Sequence, residues 1–116
     1  METAMLDLRE TAKFEVAKFR SREDLAFRIR SRRNGLLGLW LAGRLGLGEK
    51  AAAAYAKRFA SASVDHPGDE ALVRQIIRLG AGVSLDEHAI RAEMERLGAV
   101  AALEQGSGGP PAVKAA

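Results

Sequence analysis

The side chains best placed by type for chemistry are two acid pairs, Asp69-Glu70 and Asp86-Glu87, two histidines, His66 and His88, and a glycine-rich stretch, GRLGLGEK at Gly43–Lys50. Paired carboxylates suit general acid/base work, histidines suit metal ligation, and glycine-rich loops cradle phosphate. Each has a simpler reading here. Both acid pairs fall at expected helix starts, where a carboxylate caps backbone N–H groups and complements the helix dipole. The histidines have neither HExxH nor paired-ligand spacing; His66 sits in a turn before Pro67, and His88 is expected to hydrogen-bond to a neighbouring loop or helix. GRLGLGEK lacks the GxxxxGK[ST] order and follows a helix rather than a strand, so nucleotide binding is kept only as a minor alternative. A phosphate at the Pro67-Gly68 helix start would meet Asp69 and Glu70, which repel it unless magnesium intervenes. No catalytic constellation emerges, and neither a metal nor a cofactor is expected.

Composition sets the elements that position these residues. The chain has 116 residues, which the size prior reads as one domain, and no cysteine, which excludes disulfides, thiolate metal sites and cysteine nucleophiles. Alanine, leucine, arginine and glutamate dominate and there are three prolines, a bias that predicts an all-α fold. The longest apolar run, Leu36 to Gly43, is far short of the roughly 20 residues that span a bilayer. The N-terminus carries acids where a signal peptide has an apolar segment. A soluble, cytoplasmic protein without membrane insertion is expected.

Apolar spacing and turn residues predict four helices in a compact antiparallel bundle (residues 21–105), preceded by a flexible helical arm (1–20) and followed by a disordered tail (106–116). The arm alternates sparse anchors, Leu6, Leu8, Phe14 and Phe19, with charges of both signs. It has too little apolar surface for its own core, so the two phenylalanines either dock on a partner or fold back onto the bundle. Ser21 with Asp24 is spaced as a capping box and predicts a restart or bend of the helix there. The main helix follows over about Arg22 to Leu45, with Leu25, Ile29, Leu36, Leu37 and Trp40 on one face. Trp40 is read as a core anchor, and Gly35, Gly38 and Gly43 as points of close helix approach. Gly46 and Gly48 stop this helix. A second covers Glu49 to Ala62, packing through Ala51, Ala54, Tyr55, Arg58 and Phe59. The third, Asp69 to Leu79, buries Leu72, Val73, Ile76 and Ile77. Ser84 and Glu87 then read as a capping box for the fourth, whose stripe is Ile90, Met94, Leu97 and Ala101.

Positive charge is concentrated: Arg20, Arg22, Arg28, Arg30, Arg32 and Arg33 lie within fourteen residues, against only Glu23 and Asp24. This patch is either a solvated helix face whose arginine stems cover apolar neighbours or a surface for an acidic partner. Nucleic acid is not expected, because no helix-turn-helix or aromatic-interleaved basic motif accompanies it.

Five ordered motifs carry a resemblance: RRNGLLGLW at Arg32–Trp40, GLG at Gly46–Gly48, AYAK at Ala54–Lys57, PGDE at Pro67–Glu70 and DEHAIRAEM at Asp86–Met94. From about Arg9 to Leu103 the chain resembles the zeta subunit, the small inhibitor of bacterial F-type ATP synthases. The resemblance implies a four-helix protein, not an enzyme. Its N-terminal segment would insert at a catalytic interface of the ATP synthase head, formed by alpha, beta and gamma subunits, and block hydrolysis while permitting synthesis. Phe14, Glu15, Lys18 and Phe19 match the family's F-E-x-K-F element and become the implied inhibitory contacts, with Arg22 and Arg28 of the basic patch beside them. Here the two aromatics are one residue further apart than in the family pattern. The alternatives are a non-inhibitory member of the same family and a basic helical nucleic-acid-binding protein.

Overall fold

A computed structural model describes residues 2–63 and 68–106, with side chains from residue 7 onward. Gly106, expected to open the tail, closes the last helix instead; residues 107–116, His66 and Pro67 lie outside the described residues. Four α-helices and one short 3₁₀ turn follow in order: α1 (Glu2–Arg44), α2 (Glu49–Ser63), α3 (Asp69–Leu79), the 3₁₀ turn Ala81–Val83, and α4 (Glu87–Gly106). No strand occurs among the described residues. The all-α four-helix architecture therefore stands, with α1 as the central element against which both α2 and α4 pack.

One boundary differs from the sequence reading. Helix α1 does not restart at Ser21 but runs unbroken for 43 residues. A capping box contributes only about 1 kcal/mol, and no glycine or proline lies between Glu2 and Asn34 to break the backbone ladder, so continuation wins. At about 1.5 Å per residue such a helix is about 64 Å long. It sets the long dimension of the molecule, 69 Å against 37 and 24 Å. The radius of gyration, 19.0 Å, well exceeds the 13–14 Å of a compact chain this long, because the N-terminal half of α1 projects from the bundle.

The C-terminus of α1 is fixed by local chemistry. Gly46 adopts φ 79°, its N–H donates to the Gly43 carbonyl at 3.0 Å, and the Leu47 N–H donates to the Ala42 carbonyl at 3.0 Å. This is a Schellman closure, and a residue with a Cβ would be strained at its left-handed position. At the start of α4 the cap is Asp86 rather than Ser84: an Asp86 carboxylate oxygen accepts from the Ala89 N–H at 3.3 Å. Ser84 itself has φ 50°, a turn conformation in which its hydroxyl does not cap the helix.

The core is built from Leu37, Leu41, Phe59, Leu72, Val73, Ile76, Ile90, Met94 and Leu97. Trp40, expected at its centre, is only half-buried on its rim, with the Arg44 guanidinium 5.8 Å from the ring centre. Because α1 is flanked by α2 on one side and α4 on the other, the line facing both runs through Leu37 and Leu41, one position away from the tryptophan. On α2 the buried residues are Ala56, Phe59 and Ser63, while Ala51, Ala54 and Arg58 are exposed. Of the three glycines read as approach points only Gly38 serves: an added Cβ would lie 2.9 Å from the Ala56 Cα, whereas Gly35 and Gly43 face open space.

Polar ties hold the helices in register. Asn34 donates to the Ser63 hydroxyl at 3.1 Å, and that buried hydroxyl donates to the Ala60 carbonyl at 2.8 Å. The Arg33 stem crosses α4 beside Gly98 and its guanidinium meets Asp69 at 3.0 Å. Arg91 grips Glu70 with two nitrogens, at 2.9 and 3.0 Å, and pairs also with Glu87 at 2.9 Å. Arg32 Nε donates to Glu104 Oε1 at 2.6 Å, joining α1 to α4.

That last hydrogen bond holds the Glu104 carboxyl below the usual carboxylate range, and Arg91 and Arg96 do the same for Glu70 and Glu93. A carboxylate whose folded pKa is lowered contributes stability above its unfolded pKa and loses it as pH falls through the folded value. Thermal stability is therefore expected to be flat above about pH 5 and to fall below about pH 4. Glu104→Gln should shallow that acid limb by a fraction of the whole, because it removes one of three such pairs and its partner Arg32 remains half-exposed. Melting curves across this range check it; an unchanged acid limb in the variant would rule out the Arg32 tie as a contributor.

Candidate docking helix

Every described residue of α1 from Asp7 to Asp24 is exposed. Leu8 is 70 %, Phe14 62 %, Val16 50 % and Phe19 57 % accessible, so neither phenylalanine folds back onto the bundle. Large apolar side chains held on a projecting helix form an unpartnered surface, and isolated helices of this kind bury their anchors on a partner.

Helix geometry sorts the expected contacts into two sides. Phe14 and Lys18 lie one turn apart, and the Lys18 ammonium sits 5.2 Å from the Phe14 ring centre, a cation–π contact. Arg22 continues that side one turn further. Phe19 does not join them. Five residues rotate a helix position by about 500°, which places Phe19 about 140° around the axis from Phe14. Glu15 lies one turn before Phe19 on its side, with Leu8 and Val16 close by, whereas Arg28, fourteen residues from Phe14, returns to within about 40° of the Phe14 side. Phe14 with Lys18 and Phe19 with Leu8 and Val16 thus address different walls of any groove that receives the arm. Leu8 is among the arm anchors expected from the sequence, whereas Val16 is not; the signal that groups both with Phe19 is their spacing from it of eleven and three residues, both near whole numbers of turns.

The basic patch divides as well. Arg32 and Arg33 are spent inside the bundle on Glu104 and Asp69. Arg20, Arg22, Arg28 and Arg30 are exposed and form no ion pair among the described residues.

The groups considered for chemistry are likewise taken up by structure. Asp69, Glu70 and Glu87 pair with arginines and Asp86 caps α4. His88 is exposed and, contrary to expectation, has no hydrogen-bond partner among the described residues. No group of three His, Cys, Asp or Glu able to hold a metal occurs among the described residues. At the root of the arm a cleft of about 380 Å³ is lined by Phe27, Arg30, Arg33, Asn34, Ser63 and Asp69. Its polar groups are mostly committed to one another, Arg33 to Asp69 and Asn34 to Ser63. Among the described residues, no helix is long and apolar enough to cross a membrane.

The described residues form a helical bundle whose acids cap and tie helices, with Leu8, Phe14, Val16 and Phe19 exposed on one projecting helix. The chain belongs to the ATPase inhibitor subunit zeta family, whose family model matches residues 2–104. It is thus a regulatory protein by kind, with the ATP synthase as the partner its family implies. Comparisons with curated proteins and with solved structures gave no match.

Proposed function

We propose that the projecting half of α1 inserts at a catalytic interface of the ATP synthase head and blocks ATP hydrolysis while allowing synthesis. The observation that carries this is the exposure of Leu8, Phe14, Val16 and Phe19 on an uncovered helix, in a chain of the inhibitor family. Entry of that helix would bury aromatic side chains of 150–250 Å² each, the kind of anchor that dominates interface energetics. Phe14, Glu15, Lys18 and Phe19 make the inhibitory contacts in this reading, with Arg22 and Arg28 near the mouth of the groove. The arm, residues 1–20, carries inhibition, and residues 21–105 carry stability. Action would take place on the cytoplasmic face of the membrane-bound enzyme, against alpha, beta and gamma subunits.

The test is ATP hydrolysis by the matching catalytic head, titrated with the full chain and with a version starting at Arg20. Saturable inhibition by the full chain alone is the expected result. Equal inhibition by both would move the active element into the bundle. No inhibition by either, with circular dichroism showing a folded bundle, would leave a non-inhibitory member of the family.

A further inference from the structure

We propose that Lys18, Arg20, Arg22, Arg28 and Arg30 form a cationic collar that seats the arm in a protein cleft with acidic groups on more than one wall. The inference rests on the docking reading above and names the chemistry of the partner's surface. All five side chains are exposed, and none forms an ion pair among the described residues. With about 100° of rotation per residue they fall around the axis in the order Lys18, Arg22, Arg30, Arg20, Arg28, with no gap wider than about 80°. They occupy about 18 Å of helix, running from the exposed arm into its root, where Leu25, Ala26 and Ile29 are half-buried. Over Lys18 to Arg30 the charge is five cations against the two carboxylates of Glu23 and Asp24.

A ring and a stripe imply different partners. A DNA duplex or a membrane touches one side of a rod and selects cations along one face, as a lengthwise stripe. Positive charge on every side is useful only to a partner that encloses the rod. The helix ahead of the collar carries Asp7, Glu10 and Glu15 against Arg9 and Lys13, so the basic charge does not continue along the rod as an extended stripe would. Phe14 and Phe19 point the same way, being about 140° apart and so needing two walls. A cleft in an acidic protein face meets all three conditions. Charge at the mouth steers the arm in, and the tip enters about 24 Å, the axial distance from Glu2 to Lys18.

Arg20 and Arg22 are about 160° apart and supply the decisive comparison. Arg20→Gln and Arg22→Gln are measured singly for equilibrium binding to the purified catalytic head at about 0.3 M salt, where screening is shorter than the helix diameter. A collar predicts that each weakens binding by about 1.5–5-fold, the range of exposed ion pairs. A one-sided patch predicts loss for one variant only, and that result overturns the collar. The quadruple variant Arg20→Gln, Arg22→Gln, Arg28→Gln, Arg30→Gln is then followed at low salt. Its association rate is expected to fall about tenfold or more, with a flatter salt dependence. Glutamine is a good helix former, and circular dichroism checks that α1 persists. If the unaltered chain inhibits but the quadruple variant associates as fast, the collar fails and the docking reading stands. If the unaltered chain neither binds nor inhibits, the docking reading fails and the collar with it. Tighter binding to duplex DNA than to the catalytic head would also overturn the protein-cleft assignment.

Discussion

Phe14→Ala and Phe19→Ala are each expected to raise the concentration needed for half-inhibition of ATP hydrolysis by about 30-fold, equivalent to about 2 kcal/mol for an aromatic anchor. The double variant is expected to lose about a thousandfold, the product of the two. Multiplication is the informative part. If the rings lay on one side of the helix they would share a pocket, and removing the second would cost less once the first was gone. The rings are separated by about 140° and about 7.5 Å of axial rise, so in the proposed docking they would enter separate pockets and their losses are expected to add in free energy. Lys18 sharpens the comparison, since its ammonium lies over the Phe14 ring and not over Phe19. Lys18→Gln should therefore depress the Phe14 contribution while leaving the effect of Phe19→Ala intact. Inhibition titrations on the unaltered chain, the two single variants and their double, and on Lys18→Gln alone and combined with each phenylalanine variant, measure all of this. A large loss from one phenylalanine and none from the other would confine docking to one wall.

Gly38→Ala and Gly35→Ala, three residues apart on the same helix, are expected to move stability in opposite directions. Alanine gains up to about 1 kcal/mol over glycine within a helix at either position. At Gly35 nothing lies within 4 Å of the new methyl, so the gain is kept. At Gly38 the methyl would sit 2.9 Å from the Ala56 Cα and 3.2 Å from both the Ala56 carbonyl oxygen and the Phe59 Cβ. Two of those three atoms are backbone of α2 and cannot turn aside, so the helices must separate. Overpacking of this kind costs 1–3 kcal/mol, and a rigid obstacle favours the upper end. The net expectation is a loss of about 2 kcal/mol for Gly38→Ala against a gain of up to about 1 for Gly35→Ala. At about 4–8 °C per kcal/mol in a domain of this size, the two melting temperatures should differ by more than about 10 °C. Equal melting temperatures would remove the α1–α2 contact from the account.

Glycine and proline made most of the fold legible in the sequence. Gly46–Gly48, Pro67–Gly68 and Gly80–Gly82 punctuate the chain where α1, α2 and α3 end or begin, and the α4 stripe of Ile90, Met94, Leu97 and Ala101 is buried as its spacing predicts. Less legible were places with no contrast to read. Residues 51–54 are all alanine, so periodicity could not choose between the face bearing Ala51 and the one bearing Ala52 and Ala56. The α1 core line was displaced by one residue because two neighbouring helices share it, and a one-face pattern selects Trp40 where the shared line selects Leu41. Ser21 and Asp24 were overread because local capping was weighed without the neighbouring helix formers that oppose it. For the candidate contacts, residue type could be read from the F-E-x-K-F likeness, but side could not. Only the unbroken helix assigns Phe14 and Phe19 to separate sides, and only the fold reveals that Arg32 and Arg33 have partners inside the bundle.

The absence of a break in α1 also has a mechanical meaning. The helix that presents Phe14 is the one whose far half supplies Leu37 and Leu41, both fully buried. It is a cantilever clamped in the core, with a lever of about 40 Å between Phe14 and Leu41. A sideways push on the tip becomes torque on the packing around Leu41, not flexure at a hinge. The force at which a docked arm gives way is then set by the stiffness of its distant clamp, and loosening the core would weaken the grip without altering a single contact at the tip.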